Sequence, residues 1–176
     1  MAKMSILDEP LPNVYLLELP CHPDHRGSFT KIFHREAFAK QGLDFCPAEM
    51  FVTQSNAGVL RGMHFQVGPA AHDKLVTCTR GRVLDVVVDV RPESPTFNRP
   101  YAVELSHASH QALMIGKGYA HGFLALDDDS SMLYATTTVH EPSLDSGVLW
   151  SSINFQWPIQ SPILSARDQL HDPICI

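Results

Sequence analysis

Histidines, an arginine and a lysine stand on stretches otherwise rich in Val, Leu and Phe: Arg61-Gly62-Met63-His64-Phe65-Gln66, His72-Asp73-Lys74 and Gly118-Tyr119-Ala120-His121-Gly122-Phe123. A buried charge with neither partner nor ligand costs several kcal/mol, so such residues on strand-like sequence are expected to line a pocket. His64 is the residue type that takes a proton from carbon near neutral pH. Asp168 suits the place behind it, where a carboxylate fixes one imidazole tautomer and raises its basicity. Lys74, just before the apolar Leu75-Val76, offers an ammonium to a developing enolate oxygen, and Tyr134, in Met132-Leu133-Tyr134-Ala135-Thr136, offers a phenol as acid. Taken singly, each has a plainer explanation: a satisfied core histidine, a loop cap, a solvated strand-end lysine, a packing tyrosine. Their joint occurrence favours a site.

A metal centre is the competing chemistry, because His64, His72 and His121 would supply three imidazoles. Metal-binding cupins usually offer two histidines separated by one residue and then a glutamate. Here His64-Phe65-Gln66 lacks the second histidine, and no Glu follows before Glu93. The spacing therefore predicts no metal.

The elements that must hold these residues read as strands. Val14–Leu19 lies between Pro12 and Pro20, and Ser28–Phe33 follows an Asp24-His25-Arg26-Gly27 turn. Further runs are Phe51-Val52, Val59-Leu60, Leu75–Cys78, Arg82–Val90, Tyr101–Leu105, Ala112–Ile115, Gly122–Ala125 and Ser131–Thr136. Short strands at such intervals predict an antiparallel sandwich or barrel. His34–Lys40, closed by Gly42, reads as a helix, with a short turn near Ser165–Asp168. The chain is thus expected to be all-β with a few short helices, and residues 1–176 to form one domain.

Bulk properties narrow the partners. A net charge of -6 without any basic run gives no electrostatic footprint for nucleic acid. Cys21, Cys46, Cys78 and Cys175 are scattered with no CxxC spacing, which points to a reducing cytoplasm. The N-terminus has no hydrophobic signal core, and no apolar stretch reaches the roughly 18 residues that cross a bilayer, so no membrane partner is expected.

The motifs together resemble a known family. Arg26-Gly27-Ser28-Phe29, Val59-Leu60-Arg61-Gly62-Met63-His64-Phe65-Gln66, Asp73-Lys74-Leu75-Val76, Asp85–Arg91, Ser94-Pro95-Thr96-Phe97 and Gly116–Phe123 are similar, in order and at near-family spacing, to dTDP-4-dehydrorhamnose 3,5-epimerases. Tyr134, Trp150, Trp157-Pro158 and the tail Ile163–Asp168 continue the match. The resemblance implies a cupin-type jelly roll without metal or cofactor, a nucleoside-diphosphate sugar as substrate, and a homodimer in which a strand of each subunit enters the partner's site. It implies His64 backed by Asp168 as base, Lys74 at the enolate oxygen and Tyr134 as acid on the opposite face. Arg61 and His121 resemble the diphosphate contacts. Arg26, Phe29 and Lys31 correspond to the exchanged strand, and Gln66 and Arg167 fall within the matched motifs.

This chain departs from the family at identifiable places. The stretch between Phe51-Val52 and Val59-Leu60 is several residues short, and Thr53 and Ser55 stand where Gln and Asn are usual. Lys31 replaces a usual Glu. Val139 and His140 replace paired tyrosines after the acid. These departures leave open a CDP-linked sugar or inversion at a single centre. A metal-dependent cupin oxygenase and a non-catalytic sugar-binding cupin are the readings from other classes.

Overall fold

The computed structural model describes residues 3–175. Within them the strands are β1 (Ser5–Leu11), β2 (Val14–Glu18), β3 (Cys21–Asp24), β4 (Gly27–Thr30), β5 (Glu49–Ser55), β6 (Leu60–Gln66) and β7 (Lys74–Arg80). They continue with β8 (Arg82–Asp89), β9 (Pro100–Ser106), β10 (Gln111–Ile115), β11 (Tyr119–Ala125), β12 (Ser130–Thr136) and β13 (Asp145–Gly147). The helices are α1 (Arg35–Lys40), capped by the His34 side chain, and α2 (Ala166–Gln169), capped by Ser165.

Two antiparallel sheets form the body. One has the order β1-β2-β10-β7-β12-β5, the other β13-β6-β11-β8-β9, and β3 and β4 form a separate two-stranded hairpin. Val14, Val76, Leu113 and Met132 of the first sheet meet Val83, Val87 and Phe123 of the second in a core between them. This is the antiparallel sandwich that the strand spacing predicted, in the jelly-roll form that the resemblance implied. The outer faces are also covered in part. Leu17, Leu75 and Ala112 pack under Phe38 of α1 and Phe45, while Leu60, Val86, Val88 and Leu124 lie beneath Val148, Ile153 and Trp157 of the C-terminal segment. A strand covered on both faces has no solvated side to alternate towards, which is why β8 carries Val86-Val87-Val88 without a polar break.

Several boundaries differ from the sequence reading. Val59 makes only an isolated bridge to Ile163, and the Ser28 strand stops at Thr30. β1, β3 and β13 went unpredicted: β1 and β3 each contain a proline, which reads as a strand breaker, and β13 is three residues long.

One irregularity positions the site. Leu60 and Met63 both point to the outer core, although residues three apart on a regular strand face opposite ways. A bulge at Gly62 supplies the extra residue, seen as a register shift between the pairs His121↔His64 and Phe123↔Arg61. Gly62 has φ +136°, and a Cβ there would lie 2.6 Å from the Gly122 Cα, so this approach of β6 to β11 admits glycine alone. The result is that Arg61 and His64 face the same side.

Candidate active site

A cavity of about 320 Å³ opens between the two sheets. β6 brings Arg61, His64 and Gln66 to it and β11 brings His121; β7 brings Lys74; β12 brings Tyr134 and Thr136; β5 brings Glu49, Phe51 and Thr53. His72, His140, Asp145, Arg167 and Asp168 also line it. Most side chains expected to form a site are therefore brought together.

His64 Nε2 lies 2.5 Å from Asp168 Oδ1, and the carboxylate is buried while the imidazole is partly exposed to the cavity. Burial alone would raise the Asp168 pKa, but the hydrogen bond and charge of His64, with a further bond to Ser165, hold it below its ordinary value. An ionised carboxylate fixes the tautomer: Nε2–H donates to Asp168 and Nδ1 keeps its lone pair. α2 makes this possible, because Ser165 Oγ accepts from the Asp168 amide and sets the carboxylate at the start of the helix.

Lys74 Nζ donates to the His64 carbonyl oxygen at 2.8 Å, which leaves two ammonium hydrogens for other acceptors. Burial pushes its pKa down to about 8, against the opposing pull of Asp145 and Asp85. The Tyr134 ring is stacked on Phe51 (4.7 Å between centroids) and set edge-on to His121 at 5.9 Å. Burial, then the nearby Asp85 charge, drives the phenol pKa far above its usual value, so it keeps its proton. Thr53 is close by, yet its buried hydroxyl makes no well-formed hydrogen bond.

Arg61 is held by neutral groups, with Nε donating to Ser55 Oγ and a terminal nitrogen to the Gln54 carbonyl, both at 3.0 Å. Its charge is thereby positioned without being neutralised. His121 Nε2 meets both oxygens of the fully buried Asp85, at 2.9 and 3.0 Å.

Other residues sit differently from expectation. Ser55 is buried behind Arg61 and supports it rather than lining the cavity. The Gln66 amide is engaged by the chain itself, donating to Ala70 O and Val139 O and accepting from the Glu141 amide, so it anchors the segment that carries His140. Arg167 lines the cavity while paired with Asp145 at 2.6 Å. Arg26, Phe29 and Lys31 lie outside this cavity: Arg26 pairs with Asp24, Phe29 is exposed, and Lys31 borders a separate groove. Sequence reasoning missed Phe51, Asp85 and His171. Asp85 had left a signal, an acid inside the apolar run Val83–Val88; the other two gain meaning only from partners distant in sequence.

The imidazoles of His64, His72 and His121 do not assemble into a ligand set. His72 Nδ1 is bonded to the Gln66 amide and to Thr138 Oγ1, and His121 to Asp85. Burial, then the Lys74 charge, pushes the His72 pKa down to about 4. Among the described residues the grouping with ligand-like spacing is His64, Asp168 and His171. Two donors on a tetrahedral ion stand about 3.4 Å apart for bonds near 2.1 Å. The 2.5 Å between His64 and Asp168 fits a shared proton instead.

Comparison with known proteins places this geometry. Residues 8–174 match the family model described as dTDP-4-dehydrorhamnose 3,5-epimerase. An enzyme of that name from Shigella flexneri is 38% identical, covering 94% of this chain and 93% of that protein. A dTDP-4-dehydrorhamnose 3-epimerase from Streptomyces niveus is 37% identical, covering 83% of this chain and 72% of that protein. The crystal structure of the 3,5-epimerase from Bacillus anthracis, with TDP and PPi bound, superposes with a TM-score of 0.94 at 34% identity, covering 97% of this chain and 99% of that one. Agreement over nearly the full length, in sequence and in fold, makes this chain a member of the dTDP-4-dehydrorhamnose 3,5-epimerase family.

Proposed function

We propose that the chain is a sugar-nucleotide epimerase that inverts C3 and C5 of a dTDP-linked 4-keto-6-deoxyhexose, converting dTDP-4-dehydro-6-deoxyglucose to dTDP-4-dehydrorhamnose. The observation that carries this reading is the placement of His64 and Tyr134 on opposite sheets of one cavity, with Asp168 behind His64. Hydrogens at C3 and C5 are both alpha to the ketone. His64 Nδ1 takes one of them, the C–H electrons pass to the ketone oxygen, and the Lys74 ammonium meets the resulting enolate. Tyr134 delivers a proton to the opposite face, which restores the ketone with the centre inverted. The phenolate then regains a proton from solvent and His64 releases its own.

Arg61, held ready by Ser55, and His121 take the diphosphate, for which a guanidinium fork suits both charge and geometry. No metal or cofactor enters the cycle. The whole chain acts as one domain, in the cytoplasm. In a homodimer the hairpin of β3 and β4, with Arg26 in its turn, Phe29 on β4 and Lys31 just after it, reaches the partner's cavity. The exposure of these three residues on and beside a separate two-stranded hairpin supports this, since such a hairpin is marginal without a surface to pack on.

The deciding experiment is incubation with dTDP-4-keto-6-deoxyglucose in heavy water. Deuterium at C3 and C5 is the expected result. Uptake at one centre alone would make the chain a single-centre epimerase, as the Streptomyces niveus relative is named, and would direct attention to Val139 and His140. No uptake above a buffer control would refute the dTDP reading and turn the search to CDP-linked sugars.

A further inference from the structure

Two imidazoles stand beside Asp168. His64 Nε2 stands 2.5 Å from Oδ1, and His171 Nε2 stands 3.9 Å from the same oxygen, just beyond hydrogen-bond reach. The two rings pack edge to face, 5.6 Å between centroids at 68°. We propose that His171 is a positioning residue for the proton transfer, holding Asp168 Oδ1 and the His64 ring in register from the side away from the substrate.

The seat for this ring is built into the sheet. Gly147 of β13 is the register partner of His64. A Cβ at Gly147 would stand 2.5 Å from His171 Cε1 and Nε2, so the ring occupies the space that the glycine leaves beside the base. The segment carrying it is fixed on both sides, by Leu170 N donating to Arg167 O and Leu149 N donating to Asp172 O. His171 Nε2 is buried and has no hydrogen-bond partner. An orphan nitrogen beside a carboxylate gains a purpose if the pair draws together when His64 becomes an imidazolium, because a neutral N–H can then support the carboxylate without competing as a second cation. His64, Asp168, Arg167 and Asp145 are the charged or titratable groups acting on the ring, and burial, then the His64 and Arg167 charges, lowers its pKa and favours that neutral form.

The inference rests on the epimerase reading, in which His64 is the base. The test compares His171→Ala, His171→Phe and His171→Gln in the full chain, with Gly147→Ala as a variant that displaces the ring and leaves His64, Asp168 and His171 unchanged. His171→Ala, His171→Phe and Gly147→Ala are expected to lower kcat about tenfold, the scale of an outer support to a reacting group. KM should stay within about twofold, because the ring does not touch substrate. His171→Gln, which keeps an N–H near the Nε2 position, should recover most of the rate. The downfield proton resonance of the His64–Asp168 hydrogen bond should broaden in Ala and Phe and return in Gln. Full turnover in His171→Ala, or rescue by Phe equal to that by Gln, would reduce the ring to packing and overturn the proposal. The resonance does not depend on turnover, so a wild-type protein that exchanged no deuterium would sink the epimerase reading while the resonance still reported on His171.

Discussion

Removing one oxygen atom, in Tyr134→Phe, should separate proton removal from inversion. The ring is held by its stack on Phe51 and its edge contact with His121, neither of which involves the hydroxyl. The nearby Thr53 hydroxyl makes no well-formed hydrogen bond to the phenol, so removing the phenol oxygen leaves at most one weak contact unmade. Stability should therefore change by no more than about 1 kcal/mol, the scale of one neutral hydrogen bond. Catalysis should suffer far more. A positioned acid contributes about 10²–10⁴-fold, which is roughly 3–5 kcal/mol of barrier. The dyad of His64 and Asp168 is untouched, so deprotonation continues and the enolate is reprotonated from the face it came from. In heavy water the variant should incorporate deuterium at C3 or C5 with retained configuration, read by proton spectra of the recovered sugar, while inverted product falls by at least about 100-fold. Inversion at the wild-type rate would show that the proton comes from elsewhere, and loss of both exchange and inversion would mean that the phenol acts before the enolate forms.

Three more perturbations follow from the same geometry. Burial holds the Lys74 pKa at about 8, below that of lysine in the unfolded chain, so the folded state binds this proton more weakly; its cost to stability is full below pH 8 and fades as pH rises towards the unfolded value. Turnover runs the other way, since the enolate needs the cation: kcat should fall as pH rises through about 8, and Lys74→Met should lack that limb and lose about 100-fold. Arg61→Lys keeps the charge but cannot retain both the Ser55 and Gln54 bonds, so KM should rise about tenfold with kcat little changed in a steady-state titration. Mixing inactive His64→Ala with an inactive Arg26→Ala/Phe29→Ala variant should restore about a quarter of wild-type activity, because half the random dimers are mixed and each mixed dimer has one intact site; no recovery in demonstrated mixed dimers would refute hairpin exchange.

What the sequence revealed depended on how local the cause was. Alternating or uniformly apolar runs such as Arg82–Asp89 declared themselves, because their side chains report directly on the faces they cover. The helix start at His34 and the cap at Ser165 were likewise local. Cys21–Asp24 escaped notice because its pairing is fixed by a turn to Gly27–Thr30 and not by a hydrophobic face. At the site, His64, Lys74, Tyr134 and Asp168 were legible by type and by the resemblance. Their supports were less so: Phe51 touches Tyr134 only through the β5–β12 register, and His171 reaches His64 only because Gly147 lies opposite it. Gln66 shows the converse, a polar residue beside the base whose amide is taken up by the loop it anchors.

The two-sheet architecture bears on the chemistry more directly than any single residue. In the proposed mechanism inversion needs a base and an acid on opposite faces of one carbon, and a substrate lying against a single helix or strand meets that element's side chains from one side only. Here the five-stranded sheet supplies His64, and the six-stranded sheet supplies Tyr134 and Lys74. The core between the sheets fixes their separation, so the distance from base to acid is set by packing of residues such as Val76, Val87 and Met132 rather than by a flexible loop. The two groups have different surroundings. Asp168 fixes the orientation of the His64 ring through its hydrogen bond, whereas burial and then the Asp85 charge oppose negative charge on Tyr134. In the proposed mechanism, an oriented base on one sheet and a phenol that gives up its proton only to a strongly basic enolate on the other carry the proton transfer across the cavity. The glycine bulge at Gly62 turns Arg61 and His64 to the same face of β6, and in the proposed mechanism this lets one strand serve both ends of the substrate, with Arg61 at the diphosphate and His64 at the sugar.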